Sequence, residues 1–129
     1  MDKNGNYKIK NVSVSTNGQN ELYFDVEWEG NDNTDCLELR LLEDGKEYCL
    51  ETYMYPLPNQ RVIVKDFAFL KNFKSKEINK LTIYVDLGVA EYADDYKLVS
   101  WKPFAEYEPV ELNIYYEHHL FRKNKIELR

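Results

Sequence analysis

The chain is poor in the residues that common catalytic and cofactor sites require. Its 129 residues include 5 glycines, none of them clustered, and 2 histidines, adjacent at His118 and His119. A phosphate-binding loop needs clustered glycines, and neighbouring histidines on a strand point to opposite faces and cannot ligate one ion. No Ser, His and acid set and no Cys–His pair at a readable spacing is present. We therefore expect no enzymatic activity, no cofactor and no metal site.

Cysteine is equally scarce, with Cys36 and Cys49 as the two thiols of the chain. If Leu42 pairs with Glu47 across a hairpin, Cys49 lies opposite Arg40, and four residues of strand separate the thiols by about 13 Å. A disulfide requires Cα atoms within about 7 Å of each other. The spacing therefore predicts unbonded thiols and a reducing compartment, that is, a cytoplasmic protein.

The chain also lacks long apolar runs and an excess of cationic residues. Its first ten residues, MDKNGNYKIK, contain no apolar stretch, so we expect neither a signal peptide nor a membrane span. The 23 acidic residues exceed the 17 basic ones, giving a net charge of −6, whereas phosphate binding needs clustered Lys and Arg. Nucleic acid and membrane are therefore not expected as partners, and another protein is.

Period-two alternation dominates the rest of the chain. Leu81–Val89 alternates apolar and polar residues, and so does Leu22–Trp28, which indicates two strands that form facing walls of one core. We expect little helix, a bulge near Lys10–Asn11, a long irregular loop over residues 90–109, and a tail that either extends the last strand or folds back as a hairpin. The predicted strands are Tyr7–Thr16, Leu22–Glu29, Cys36–Leu42, Tyr48–Tyr55 (an edge), Gln60–Phe67, Lys80–Val89 and Val110–Tyr116.

These patterns resemble a known fold family. L-x-F-x-V-x-W at Leu22–Trp28 looks like the second strand of fibronectin type III domains, whose core Trp sits there. V-x-V-x-x-F at Val62–Phe67 and L-x-I-x-V-x-L at Leu81–Leu87 are similar to the fifth and sixth strands of that family. The length of 129 residues predicts a single domain over residues 1–129, and the spacing of the short strands predicts an all-β chain. The resemblance covers roughly residues 7–116. The expected fold is an immunoglobulin-like, fibronectin type III-like antiparallel β-sandwich of about seven strands. The resemblance also implies that the domain works by binding.

Charge is unevenly distributed along the sequence. Residues 21–59 hold eleven acidic residues against Arg40 and Lys46, a net −9 (2 − 11), while the rest of the chain carries +3. We expect Asp25, Glu27 and Glu29 to share the outer face of the second strand, and Glu38 to face Glu51 across the third and fourth strands. Such an acidic face would bind a basic protein, as a small inhibitor or immunity-type antagonist does. Alternatively, the charges only keep the protein soluble and prevent its edge strands from pairing with other chains.

A second candidate surface lies in the 90–109 segment, which is rich in aromatic residues. On a long loop these side chains suit recognition of a carbohydrate or peptide, or adhesion; otherwise they pack over a sheet edge. A structural subunit of a phage or secretion assembly is the remaining alternative. The aromatic candidates are Tyr92, Tyr96, Trp101, Phe104 and Tyr107.

Overall fold

A computed structural model describes residues 7–30, 37–43, 48–65 and 70–129 of the chain. The described part is built almost entirely of strands, with a 3-10 turn at Leu70–Asn72 and no α-helix. The expected all-β fold with little helix is confirmed, although nine strands are found where seven were expected. The strands are β1 Lys8–Thr16, β2 Glu21–Glu29, β3 Leu37–Glu43, β4 Tyr48–Met54, β5 Asn59–Lys65, β6 Glu77–Tyr92, β7 Leu98–Glu106, β8 Val110–Glu117 and β9 Lys125–Leu128.

The strands form two antiparallel sheets. The smaller sheet has the order β1-β2-β5, and the larger has the order β4-β3-β6-β8-β9. The long strand β6 is flanked on one edge by β3 and on the other by β8 and β7, which lie end to end. β8 pairs with Glu77–Ile83 and β7 with Asp86–Tyr92, and the amide of Tyr107 bridges the two by donating to the carbonyl of Val85 at 3.0 Å.

The core lies between the sheets, where the alternation of β2 and β6 predicted it. Every second residue of β2 from Leu22 to Trp28 is buried, and so is every second residue of β6 from Leu81 to Leu87. Each such side chain contributes about 1.5–3 kcal/mol when it leaves water. Trp28 donates its indole Nε1–H to the carbonyl of Leu57 at 2.6 Å, so its polar atom is satisfied within the core.

Two local features of β1 and β2 follow the sequence. The pairing register shifts between Ile9 and Asn11, so the bulge predicted near Lys10–Asn11 is present, and it brings Ile9 into the core opposite Trp28. The Asn17-Gly18 turn joins the two strands, with Gly18 at φ 83°. A glycine suits this left-handed conformation because a Cβ would strain the backbone there.

The 90–109 segment is not an irregular loop, so that expectation was wrong. β6 continues to Tyr92, turns over residues 93–97, and returns as β7. The close approach of β7 depends on Gly88, because an added Cβ would meet the carbonyl oxygen of Lys102, lie 2.8 Å from Cα of Pro103 and lie 2.9 Å from Cζ2 of Trp101. Pro103 suits an edge strand, since it has no N–H to donate to a further neighbour.

The hairpin of β3 and β4 has a different register from the predicted one. Leu42 lies opposite Cys49, two residues from the predicted Glu47. A bulge between Leu41 and Leu42 then places Arg40 opposite Thr52, with Leu50 partly buried against the core. β4 is an edge strand of the larger sheet, as predicted. Cys49 is unbonded and exposed, while Cys36 lies outside the described residues, so the distance between the two thiols stays a prediction.

The tail adopts the hairpin alternative. β9 pairs antiparallel with β8, from Ile114 opposite Leu128 to Glu117 opposite Lys125. The amide of Ile126 also donates to the carbonyl of Gly18 at 2.9 Å, which connects β9 to the turn of the smaller sheet. Ile126 is buried in the core, and this burial explains why the tail folds back.

Candidate functional site

Three of the acidic candidates lie on the outer face of β2, and one of these is already paired. Asp25 sits opposite Arg61 of β5, and the two side chains form a bidentate pair with Nε–Oδ1 and Nη2–Oδ2 distances of 2.8 and 2.9 Å. The hydrogen bond from Arg61 lowers the pKa of Asp25 below its usual range. Glu27 is half-buried, and Glu29 is exposed with Lys10 at 4.0 Å. The charge of this face is therefore smaller than its carboxylate count indicates.

The other two acidic candidates do not join that face or each other. Glu38 lies opposite Met54 and Gly88, while Glu51 lies opposite Leu41, so the expected Glu38–Glu51 pairing was wrong. Leu42 already lies two residues from its predicted partner, opposite Cys49, and the bulge beyond it shifts the register by one residue more. Glu38 is 1% exposed and therefore cannot offer its charge to a partner. The five acidic candidates do not form one surface.

The buried Glu38 carboxylate is bound by an aromatic candidate. The hydroxyl of Tyr92 donates to Glu38 and lies 3.1 Å from Oε1 and 3.2 Å from Oε2. Burial and then this hydrogen bond raise the pKa of Tyr92 above its usual range. A member of the acidic set and a member of the aromatic set thus meet on the outer face of the larger sheet, which the sequence did not predict.

Trp101 and Arg40 cover the same region of the sheet. Trp101 lies against Gly88, and Cζ of Arg40 stands 4.6 Å from the centroid of its ring, within cation–π range. Within the described part of the chain, Nε of Arg40 is buried and has no hydrogen-bond partner. Trp101 is half-buried, so it packs β7 onto the sheet and does not stand free in solvent.

Phe104 and Tyr107 take the packing role that was the alternative for the aromatic set. Phe104 stacks on Tyr7, with ring centroids 5.3 Å apart and planes 17° apart, and Tyr7 in turn contacts Trp28. Tyr107 is partly buried against the core. Phe104 thus packs β7 against the residue that precedes β1, and the side chains of Phe104 and Tyr107 are both partly buried by packing.

The remaining aromatic candidate, Tyr96, lies at the tip of a projecting hairpin. Within the described residues, β3 pairs with β6 as far as Val89 and residues 91–100 extend past the described end of that strand; we call these residues the hairpin arm. All ten are exposed, and Tyr96 is 89% exposed at φ 63°. The amide of Ala93 donates to the carbonyl of Lys97 at 2.9 Å and closes the turn.

The sequence reasoning missed several exposed apolar residues around this arm. Leu98 and Val99 are 43% and 61% exposed on β7, and Tyr55 and Leu57 are 61% and 63% exposed on the turn between β4 and β5. The amide of Tyr55 donates to the carbonyl of Leu37, which lies opposite Val89, so this turn begins at the base of the arm. The prolines on both sides of Leu57 were a usable indication, because they favour an exposed turn.

The described residues offer no metal site or membrane-spanning helix. Ranges 7–30, 37–43, 48–65 and 70–129 contain no group of three or more His, Cys, Asp or Glu side chains placed to hold an ion. Within the same ranges, no helix has the length and apolar character to cross a bilayer. Asp32 and Asp35 lie outside the described residues.

Comparison of the chain with protein-family models, with curated protein sequences and with solved structures finds no match in any of the three.

Proposed function

We propose that the chain is a non-enzymatic protein-binding domain and that the hairpin arm, with the adjoining turn between β4 and β5, is its binding surface. The observation that carries this proposal is the concentration of exposed apolar side chains at one end of the molecule. Six of the nine large apolar residues that the described structure leaves exposed lie there, and clustered exposed apolar residues mark interaction sites. The six are Tyr55, Leu57, Tyr92, Tyr96, Leu98 and Val99.

The charge of the arm favours a basic partner. Glu91, Asp94 and Asp95 lie on the arm, and its single cation, Lys97, has its Nζ 3.8 Å from Asp95. Acidic side chains around aromatic anchors steer a basic protein to the surface, while the anchors supply most of the affinity. The arm thus carries acidic and aromatic side chains together, although its acids are not those of the acidic face that the sequence predicted.

The outer face of β2 is the weaker candidate for the same partner. Asp25 is already engaged by Arg61, and Glu29 has Lys10 nearby. Among the described residues, Glu27 is the carboxylate of this face that forms no ion pair. The depression beside it, about 260 Å³ in volume, is shallow and open. If the chain is an antagonist of a basic protein, we therefore expect the arm to form the centre of the interface and the outer face of β2 to contribute at most to its rim.

The division of strands supports an immunoglobulin-like arrangement for this domain. The first, second and fifth strands share one sheet, and the third and sixth share the other with the strand that follows them. The fourth strand extends the larger sheet beside the third, as the C′ strand of variable-type domains does. In such sandwiches the loops at one end carry recognition, which agrees with a binding role for the arm. The unbonded, exposed thiol of Cys49 supports a cytoplasmic location.

The test is capture of a partner by matched variants. The wild-type chain and a Phe121→Ser control, altered at the opposite end of the molecule, should recover the same protein from the native host in stoichiometric amount. A Tyr96→Ser/Val99→Ser variant should fail to recover it, and the recovered protein should be basic. Equal recovery by the arm variant would place the interface elsewhere.

The charge argument has a separate readout with the recovered partner. Asp94→Lys/Asp95→Lys should slow association and flatten its salt dependence, since both side chains are exposed and neither supports the core. An unchanged association rate would remove the basic partner from the proposal while leaving the apolar anchors in place.

A further inference from the structure

The turn between β8 and β9, residues 118–124, presents two apolar side chains to solvent. We call it the tail turn. Leu120 is 81% exposed and Phe121 is 99% exposed. The turn is nevertheless well tied down, because the amide of His119 donates to Oδ1 of Asn124 at 3.0 Å and the amide of His118 donates to Oγ of Ser75 at 2.9 Å. The exposure of the apolar pair is thus imposed by an ordered turn.

Cations surround this apolar pair. Arg122, Lys123 and Lys125 follow it in the chain, and the amide of Lys76 donates to the carbonyl of Tyr116, which brings the lysine-rich segment before β6 alongside. Six basic residues stand at this end of the β6–β8 pair against Glu77, Glu117 and Glu127, and the last of these lies 3.5 Å from Nζ of Lys125. The six are Lys74, Lys76, Lys80, Arg122, Lys123 and Lys125.

A polar depression of about 340 Å³ adjoins the apolar pair. Its described lining supplies hydrogen-bond donors from imidazole, guanidinium, ammonium and carboxamide groups and contains no carboxylate. Glu117 approaches it from behind, with Oε1 3.5 Å from Nε2 of His119. A lining of this composition suits a phosphate group. The lining residues are Gln19, Asn20, His118, His119, Arg122, Lys123 and Asn124.

The shape of the tail turn favours a lipid surface over a protein as its binding partner. A stable protein interface buries about 800 Å² on each partner, whereas Leu120 and Phe121 stand on a convex turn between polar neighbours. A lipid surface needs only a few inserted apolar side chains with cations at the level of the anionic headgroups. Residues 21–59 carry −9, and the remainder of the chain, which includes the tail turn, carries +3.

We propose that the tail turn binds the surface of an anionic phospholipid membrane, with Leu120 and Phe121 entering the interface and Arg122 and Lys123 contacting lipid phosphates. This contact is peripheral and requires no membrane-spanning segment. It is also independent of the protein-binding role of the hairpin arm, which projects from the opposite end of β6.

Flotation of the full chain with vesicles tests the proposal. Wild type should float with phosphatidylcholine vesicles that contain phosphatidylserine and should stay behind with pure phosphatidylcholine. Arg122→Glu/Lys123→Glu should weaken partitioning by at least about thirtyfold, roughly fivefold for each of the two cations lost, and repulsion of the two added carboxylates should weaken it further. Leu120→Ser/Phe121→Ser should weaken it by about tenfold or more. The arm variant Tyr96→Ser/Val99→Ser, matched in exposure, should float as wild type does.

Three results would overturn the proposal. One is no flotation of wild type, or equal flotation with neutral and anionic vesicles. Another is wild-type flotation of Leu120→Ser/Phe121→Ser together with full release by inorganic phosphate, which would leave a site for free phosphate only. The last is a chain that does not float with vesicles but self-associates in sedimentation velocity, with the self-association lost in Phe121→Ser. That result would mean that the tail turn binds a second copy of the chain. Circular dichroism melts of each variant confirm that lost flotation does not reflect unfolding.

Discussion

Removal of one hydroxyl group, in Tyr92→Phe, should destabilise the whole sandwich. Glu38 is 1% exposed, and within the described residues its carboxylate accepts its side-chain hydrogen bond from Tyr92. A hydrogen bond to a charged group contributes about 1.5–3 kcal/mol, and a buried acceptor that loses its donor also retains its desolvation cost. For a domain of this length, about 3.5 °C per kcal/mol gives a fall in melting temperature of about 5–11 °C.

The chain provides a matched control for this experiment. Tyr96→Phe removes the same hydroxyl four residues away, at a side chain that is 89% exposed, and should change stability by less than about 0.5 kcal/mol. Urea unfolding of wild type, the two variants, Glu38→Gln and the double variant Glu38→Gln/Tyr92→Phe measures the coupling. Two results would show that the hydrogen bond between Tyr92 and Glu38 does not stabilise the fold: equal melting temperatures of Tyr92→Phe and Tyr96→Phe, or additive effects of the changes at Glu38 and Tyr92.

Other changes probe the core, the hairpin of β6 and β7, and the acidic face. Gly88→Ala should cost about 1–3 kcal/mol because its Cβ displaces the backbone of β7; hydrogen exchange of the β7 amides should rise, and unchanged protection would contradict this. Trp28→Ala should cost about 3–5 kcal/mol, and a melt within a degree or two of wild type would be incompatible with its burial. The pKa of Asp25 is lowered by Arg61, so the pair's stabilisation is present above the ordinary value of 3.8 and is lost as pH falls. Asp25→Asn should therefore show a flatter acid unfolding profile, and one that parallels wild type would argue against the pair.

The alkaline range offers a further check on the Glu38–Tyr92 contact. The pKa of Tyr92 is raised above its ordinary value of 10.0, so the folded chain holds this proton more tightly than the unfolded chain does. Stability from this group is complete below pH 10.0 and is lost as pH rises toward the folded pKa. Tyr92→Phe should lose less stability than wild type over that range, and an equal loss would mean that the hydroxyl is not held in the fold.

Much of the architecture could be predicted from the sequence because it depends on local alternation. The buried faces of β2 and β6, the bulge in β1 and the edge position of β4 all follow from which residues alternate and where turns are favoured. Side-chain period and backbone pleat share the same repeat, so a strand with one apolar face predicts its own orientation without knowledge of its neighbours.

The candidate site depended on contacts between distant parts of the chain, and these the sequence did not reveal. From the sequence, Glu38 is predicted to be one more carboxylate that points to solvent. In the structure it is buried and bound by the hydroxyl of Tyr92, which lies 54 residues later in the chain. β7 lacks clear alternation and pairs because Gly88 admits its backbone. An extra residue at Leu50 changes which side chains of β3 and β4 face each other. Burial, strand pairing and side-chain contacts of this kind are decided only by the tertiary structure, because they depend on which distant segments pack against each other.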